Sequence, residues 1–246
     1  MGSLNLELRG MMEILGLDLL GVADLRPASD FIKAQGGEHL ASYPLAVSLG
    51  MKLIDAVVDE LHLHENPSAI FSYRGLYNSV NQNLDRASLL IARRLQREGF
   101  RAYPIPASQI IDPRRLEGAF SHKLAAYLAG LGWIGKSCLL ITPDYGPRVR
   151  LATVLTDAPL EAGKPIPDGC RECRRCVEVC PVNAITGRTF NSKESRDLRL
   201  RAQLCNDYSE KRARLIGEGL CGLCVYVCPY GIKPRKKIKT NPVYDK

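Results

Sequence analysis

The side chains best suited to chemistry are cysteines, and eight of the nine lie in one stretch of about sixty residues. The first four follow the pattern C-x2-C-x2-C-x3-C-P, and the last of the eight also precedes a proline. The eight are Cys170, Cys173, Cys176, Cys180, Cys205, Cys221, Cys224 and Cys228. Three closely spaced cysteines followed by a fourth before proline are typical ligands of a [4Fe–4S] cluster, and eight thiolates suffice for two clusters.

The ligand sets follow from the rule that the cysteine before proline binds the other cluster of the pair, as in bacterial ferredoxins. The second group lacks its third closely spaced cysteine, and Cys205, sixteen residues before Cys221, is the nearby candidate to replace it. The pattern therefore predicts a first cluster held by Cys170, Cys173, Cys176 and Cys228. It predicts a second cluster held by Cys180, Cys205, Cys221 and Cys224.

Zinc and disulfides are the alternative uses of so many cysteines. Zinc sites usually have two separated C-x2-C pairs and not three cysteines at x2 spacing before Cys-Pro. Disulfides belong to oxidising compartments, and the chain has no secretory signal. The remaining cysteine, Cys138, lies in an apolar run and is predicted to be a small core residue.

Length and charge set the wider limits. The chain has 246 residues and a formal charge of +8. Because each oxidised cluster with four thiolates carries about −2, two clusters would lower the charge of the loaded protein to about +4. No run reaches the roughly eighteen apolar residues of a membrane span. We therefore expect a cytoplasmic protein that does not bind membranes.

Apolar periodicity predicts a mixture of helices and strands. The expected helices cover 4–15, 52–63, 76–99 and 116–131, and the expected strands cover 19–23, 43–49 and 101–105. Two further β-rich runs, 138–142 and 149–155, flank Pro143-Asp144-Tyr145-Gly146-Pro147, which suggests a hairpin-like turn. Without regular strand–helix alternation, the α+β class is favoured. We expect an α+β domain over 1–162, a ferredoxin-like domain over 163–232 and a basic tail over 233–246.

The segment Gly130–Ser137, Gly-Leu-Gly-Trp-Ile-Gly-Lys-Ser, matches the P-loop pattern G-x-x-x-x-G-K-[ST]. A P-loop needs a strand before it and a helix after it, so that helix amides point at the phosphates. Here a predicted helix precedes the segment and a β-rich run follows it. Nucleotide binding is therefore not expected.

This segment, followed by 139–143, 146–151 and 155–160, forms a second signature beside the cysteines. Together they resemble the epoxyqueuosine reductase and reductive dehalogenase superfamily. The resemblance implies a nitroreductase-like α+β cobalamin domain followed by a ferredoxin-like domain with two [4Fe–4S] clusters. It implies a reductase in which the clusters deliver electrons to cobalt, and its cluster ligands agree with the sets above.

The resemblance also implies roles for individual residues of this chain. Those expected near the corrin are Tyr77, Gly132, Trp133, Lys136, Asp207 and Gly222. The family's proton-donating aspartate has no clear counterpart in this chain. Counting back from Gly130 without gaps places Leu116 at the position of that aspartate. The candidate catalytic residues are Tyr77, Asp112, Glu117 and His122.

The implied partners are a low-potential electron donor such as ferredoxin or flavodoxin, and a tRNA or small-molecule substrate. The chain resembles a short member that stops at Lys246 without the C-terminal helical repeats, and its basic run 235–239 could touch phosphates. Two alternatives stay open. One is an electron-transfer or corrinoid-reactivating protein without its own cobalamin, and the other is a nucleic-acid-binding iron–sulfur protein.

Overall fold

A computed structural model describes residues 3–232 and contains a mixture of helices and antiparallel strands. The strands are β1 (Leu19–Asp24), β2 (Leu45–Lys52), β3 (Ala102–Ile105), β4 (Trp133–Ile134), β5 (Leu140–Ile141) and β6 (Val149–Thr156). The α-helices are α1 (Ser3–Ile14), α2 (Ser29–Gly36), α3 (Glu38–Ala41), α4 (Asp55–Asp59), α5 (Pro67–Arg97), α6 (His122–Leu128), α7 (Arg175–Glu178), α8 (Ala202–Ile216) and α9 (Leu223–Tyr226). Short 3-10 helices cover Arg26–Ala28, Glu60–Leu63, Arg196–Leu198 and Pro229–Gly231.

The main sheet has the strand order β1-β2-β6-β3, and every pair is antiparallel. Alternate side chains of a strand point to opposite faces. Val47 and Val154 accordingly join a core with α1, α4 and α5, whereas Ala46 and Leu155 join one with α2, α3 and α6. Helices therefore cover both faces, which leaves the ends of the sheet for a functional site.

Helix α5 is the longest helix in the described part of the chain. The Asn66 side chain caps it by accepting a hydrogen bond from the Ser68 amide at 2.9 Å, and Pro67 occupies its first turn. Its buried residues include Ile70, Leu84 and Ile91, which are fully covered by the core. The helix begins nine residues earlier than the predicted 76–99, because this cap lies outside the apolar pattern.

The expected strands near 19–23, 43–49 and 101–105 are present, but the extent of one expected helix was wrong. The helix expected over 116–131 spans only His122–Leu128, because Leu116 has a positive φ of 54° and Ser121 caps the helix that follows. The expected hairpin-like turn forms locally, as an antiparallel bridge between Thr142 and Gly146, but the two flanking strands do not pair with each other. Strand β5 pairs with β4, whereas β6 pairs with β2 and β3.

The cysteine-rich segment packs back onto the first part of the chain. Val225 of α9 is buried in the same core as α5, and Arg74 of α5 forms an ion pair with Glu218 at 2.6 Å. No helix in residues 3–232 is long and apolar enough to cross a membrane. The expected basic tail, with its run 235–239, lies outside the described residues.

Candidate metal centres

The first group of cysteines converges from two parts of the chain. Cys170 and Cys173 lie in a turn closed by a 2.9 Å hydrogen bond from the Cys173 amide to the Cys170 carbonyl. Cys176 lies on α7 and Cys228 follows α9, and all four thiols line one pocket. Burial, and then the neighbouring Cys170, Cys228 and Cys173 thiols, raise the pKa of Cys176 to about 11.

The second group converges on α9. Cys180 follows α7, Cys205 lies on α8, Cys221 precedes α9 and Cys224 lies within it. Burial, and then the neighbouring thiols, raise the pKa of Cys224 above its usual value, and these neighbours are Cys221, Cys205, Cys176 and Cys180. Since Cys176 belongs to the first group, the two groups lie side by side. The thiols of each expected set thus lie near one another, and their assignment as cluster ligands stays a prediction.

The chemistry of these thiols suits iron–sulfur clusters. In a [4Fe–4S] cluster four thiolates surround the inorganic core, each on its own iron. Within residues 3–232, no three His, Cys, Asp or Glu side chains form a site for a single metal ion. Because buried thiols resist ionisation, a bound cationic centre has to supply the energy that keeps them as thiolates.

The segment Gly130–Ser137 anchors the first cysteine group. The buried Lys136 ammonium donates to the Arg171 carbonyl and to the Cys173 carbonyl, the latter at 3.3 Å. The indole N–H of Trp133 donates to Cys170 Sγ at 3.4 Å, and its ring packs edge-on against Tyr230. The absence of nucleotide binding stays a prediction, but the segment lies in a strand pair and lacks the P-loop arrangement of strand, loop and helix.

Gly132, Trp133 and Lys136 were expected near a corrin. In the structure Trp133 and Lys136 contact the first cysteine loop. A Cβ at Gly132 would lie 2.3 Å from the Ile141 carbonyl oxygen, so the close pairing of β4 and β5 requires glycine. Cys138 is 2% exposed, as expected of a core residue.

A second polar cluster forms where α5 meets β6. The Tyr77 hydroxyl lies 2.8 Å from Ser108 Oγ and accepts a hydrogen bond from Arg150 at 2.9 Å. The Arg150 guanidinium also lies over the Tyr77 ring at 4.1 Å and donates to Asn81 at 3.0 Å. Sequence reasoning found Tyr77 but missed Arg150 and Ser108, because only pairing across 31 to 73 positions brings them together.

His122 lies near this cluster, with Nδ1 2.8 Å from Thr153 Oγ1 and Nε2 2.9 Å from the Pro106 carbonyl. A carbonyl can only accept, so Nε2 carries the proton and Nδ1 accepts from Thr153. Burial is the main cause that lowers the pKa of His122 to about 4. This histidine is therefore a neutral group with both ring nitrogens engaged.

Asp112 and Glu117, the two acidic residues among the catalytic candidates, stabilise the loop before α6. Asp112 Oδ1 accepts from the amides of Arg114 and Arg115 at 2.9 and 3.0 Å, which caps a turn. Glu117 pairs with Arg115 at 3.0 Å and with Arg196 at 3.4 Å. The structure therefore gives both carboxylates partners other than Tyr77.

The remaining two expected corrin residues lie in the cysteine-rich segment. Asp207 is exposed on α8 and accepts from Gln203 at 2.8 Å. Gly222 has a positive φ of 72°, and a Cβ there would lie 2.7 Å from Leu61 Cδ1 and 3.1 Å from Tyr73 Cε1. The need for glycine at this position is therefore already set by the turn and by these two side chains.

Comparisons with known proteins agree with this geometry. Residues 169–231 match a family model described as a 4Fe-4S double cluster binding domain. The chain is 33% identical over 162 residues to the epoxyqueuosine reductase of Bacillus cereus, a match that covers 63% of this chain and 41% of that protein. It is 39% identical over 113 residues to the tetrachloroethene reductive dehalogenase of Sulfurospirillum multivorans, covering 42% and 22%. The chain is thus similar in sequence to both an epoxyqueuosine reductase and a reductive dehalogenase.

The likeness in fold to a solved structure extends over most of the chain. A reductive dehalogenase whose structure suggests a mechanism for B12-dependent dehalogenation matches 92% of this chain with a TM-score of 0.68 at 19% identity. The match covers 31% of that dehalogenase. This chain thus spans well under half the length of the two curated relatives named above, 41% of the Bacillus cereus reductase and 22% of the dehalogenase.

Proposed function

We propose that the chain is an iron–sulfur oxidoreductase that uses cobalamin, with two [4Fe–4S] clusters delivering electrons to cobalt. The observation that carries the proposal is that the two sets of four cysteines lie side by side. One member of the second set, Cys224, packs against the core of the first domain. The first cluster would be held by Cys170, Cys173, Cys176 and Cys228. The second would be held by Cys180, Cys205, Cys221 and Cys224.

The second cluster is the one from which electrons leave towards the first domain. Cys224 packs against the core that contains α5. Tyr73 of α5 is buried beside it, and burial followed by the Cys224 and Cys221 thiols raises the pKa of Tyr73. Tyr77 lies one turn further along the same helix, so the second cluster and the Tyr77–Arg150 pair face a continuous part of α5.

The cobalamin would lie at the end of the sheet, within the nitroreductase-like domain over 1–162 and against the ferredoxin-like domain over 163–232. Tyr77, Ser108 and Arg150 offer polar contacts there. The loop that carries Ser108 also exposes Ile110 and Ile111, at 63% and 56%, which suits a large apolar ring. When bound, cobalamin supplies the low-valent metal chemistry, and the protein supplies orientation and protons.

Tyr77 is the proton donor that this arrangement supports best. Its hydroxyl is held by Ser108 and Arg150, whereas His122 is neutral with both nitrogens engaged. The names of the two relatives indicate reductive chemistry on epoxyqueuosine, a modified tRNA base, or on a small organohalide. Electrons would come from a low-potential donor such as ferredoxin or flavodoxin.

The test is to purify the protein without oxygen, load its clusters and titrate it with cobalamin. We expect tight binding visible in the cobalamin absorption bands, and weaker binding in Arg150→Met. Reduction of bound cobalamin through the clusters should be lost in Cys221→Ala, which lacks the second cluster. Protein that keeps both clusters but never binds cobalamin would contradict the proposal and favour an electron carrier.

A further inference from the structure

Two cations beside α6 have no carboxylate partner in the described part of the chain. Lys123 donates from Nζ to the Cys138 carbonyl at 2.6 Å, and burial lowers its pKa because it disfavours the charged form. Arg199 is only 6% exposed, and its Nε has no hydrogen-bond partner. Its guanidinium lies over the Phe190 ring at 4.8 Å. Neither contact neutralises a charge.

A third cation, Arg196, lies within electrostatic reach of Lys123, as does Arg199. Arg196 donates to the carbonyls of Arg115 and Leu116 and reaches Glu117 at 3.4 Å. It also pairs with Asp197, which is 72% exposed. Glu117 and Asp197 form their ion pairs with Arg115 and Arg196, and Glu117 acts on Lys123 only from a longer distance. Among residues 3–232, Lys123 and Arg199 therefore form no direct ion pair.

Buried charge without a partner is costly, so a protein that retains it usually supplies an opposite charge from elsewhere. A phosphate carries nearly two negative charges and three acceptor oxygens. Arginine matches phosphate with paired N–H donors, and lysine adds a point charge. We propose that Lys123, Arg196 and Arg199 form a binding site for a phosphate group.

One loop connects the site with the proposed cofactor surface. It carries Leu116, whose carbonyl accepts from Arg196, and Ser108, which contacts Tyr77. The three cations do not depend on cobalamin, so the site can be tested separately from the proposed function.

The experiment is calorimetric titration of the cluster-loaded protein with inorganic phosphate at low ionic strength. Saturable binding of about one phosphate per chain is expected, and Lys123→Met and Arg199→Met should each weaken it by about tenfold or more, because each removes a charge-assisted contact. Arg199→Lys should fall between wild type and Arg199→Met. Arg9→Met removes an exposed arginine on α1 and should bind phosphate like wild type.

A second measurement guards against misfolded variants. Phosphate should raise the thermal midpoint of wild type and of Arg9→Met, since a ligand of the native state stabilises it, but not that of Lys123→Met. Competition between a nucleoside monophosphate and inorganic phosphate would show that the site accepts an organic phosphate. If the nucleoside monophosphate does not compete, the site is specific for the free ion. No phosphate binding to cluster-loaded wild type, or unchanged binding in both Met variants, would overturn the proposal. Failure to load clusters would instead count against the proposed function.

Discussion

The indole N–H of Trp133 donates a hydrogen bond to the sulfur of Cys170 across 3.4 Å. The two residues are 37 positions apart and belong to different proposed domains. Hydrogen bonds to the ligand sulfurs help to set the reduction potential of iron–sulfur clusters. The glycine-rich segment Gly130–Ser137 therefore contacts the first cysteine group directly, and the effect on the cluster potential can be measured.

Trp133→Phe should lower the reduction potential of the first cluster. The phenyl ring keeps most of the packing against Tyr230 but cannot donate to sulfur, so the reduced, more negative cluster loses stabilisation. A net hydrogen bond of about 1 kcal/mol corresponds to a shift of about 40 mV for one electron. Potentiometric titration followed by electron paramagnetic resonance checks it. Tyr230→Phe, which removes only the hydrogen bond to the Gly169 carbonyl, is the control and should leave the potential nearly unchanged.

Cys205→Ala should remove one cluster, reducing the iron content from about eight to about four per chain, because a cluster of this type needs four thiolates. Cys138→Ala should leave both clusters, since Cys138 is buried away from the two groups of thiols. Iron and sulfide analysis after anaerobic reconstitution distinguishes the two variants. The ligand assignment would be wrong if Cys138→Ala lost iron and Cys205→Ala did not.

Lys136→Met should destabilise the cluster-loaded protein by about 1–3 kcal/mol, the usual loss when buried acceptors lose their donor. The acceptors are the Arg171 and Cys173 carbonyls, so the first cluster should also be released at a lower denaturant concentration. Urea unfolding with iron release measures both effects. Magnesium-dependent ATP binding that disappears in Lys136→Met would show instead that the segment is a nucleotide site.

The Arg74–Glu218 pair should make stability depend on pH. The Arg74 hydrogen bonds hold the pKa of Glu218 below its usual value, although burial opposes them. For a lowered carboxyl pKa, the stabilisation is complete above the unfolded pKa of about 4.3 and is lost as pH falls through the folded pKa. The stability difference between wild type and Glu218→Gln should therefore be constant above about pH 5 and shrink below about pH 4. Urea midpoints across this pH range measure it, and a difference that persists in acid would exclude the ion pair as its cause.

The sequence alone determined which cysteines are close in the chain, and it predicted most of the sheet. The x2 and x3 spacings are local, so they indicate two sets of thiols before any fold is known, and the structure brings the same sets together. The strands at β1, β2 and β3 were predictable because apolar runs between turn residues are local as well. The family likeness was also visible in the sequence, because its motifs are contiguous.

Tertiary structure alone decided what the glycine-rich segment touches and where the charged groups lie. Trp133 meets Cys170, and Arg150 meets Tyr77, only after β4, β6 and α5 have packed, and side-chain periodicity does not specify such distant partners. The shortened α6 had the same origin, since the positive φ of Leu116 and the Ser121 cap override an apolar helical pattern. Only the packed chain shows that Lys123 and Arg199 lack ion pairs, because burial and ion-pair partners are not specified by the local sequence.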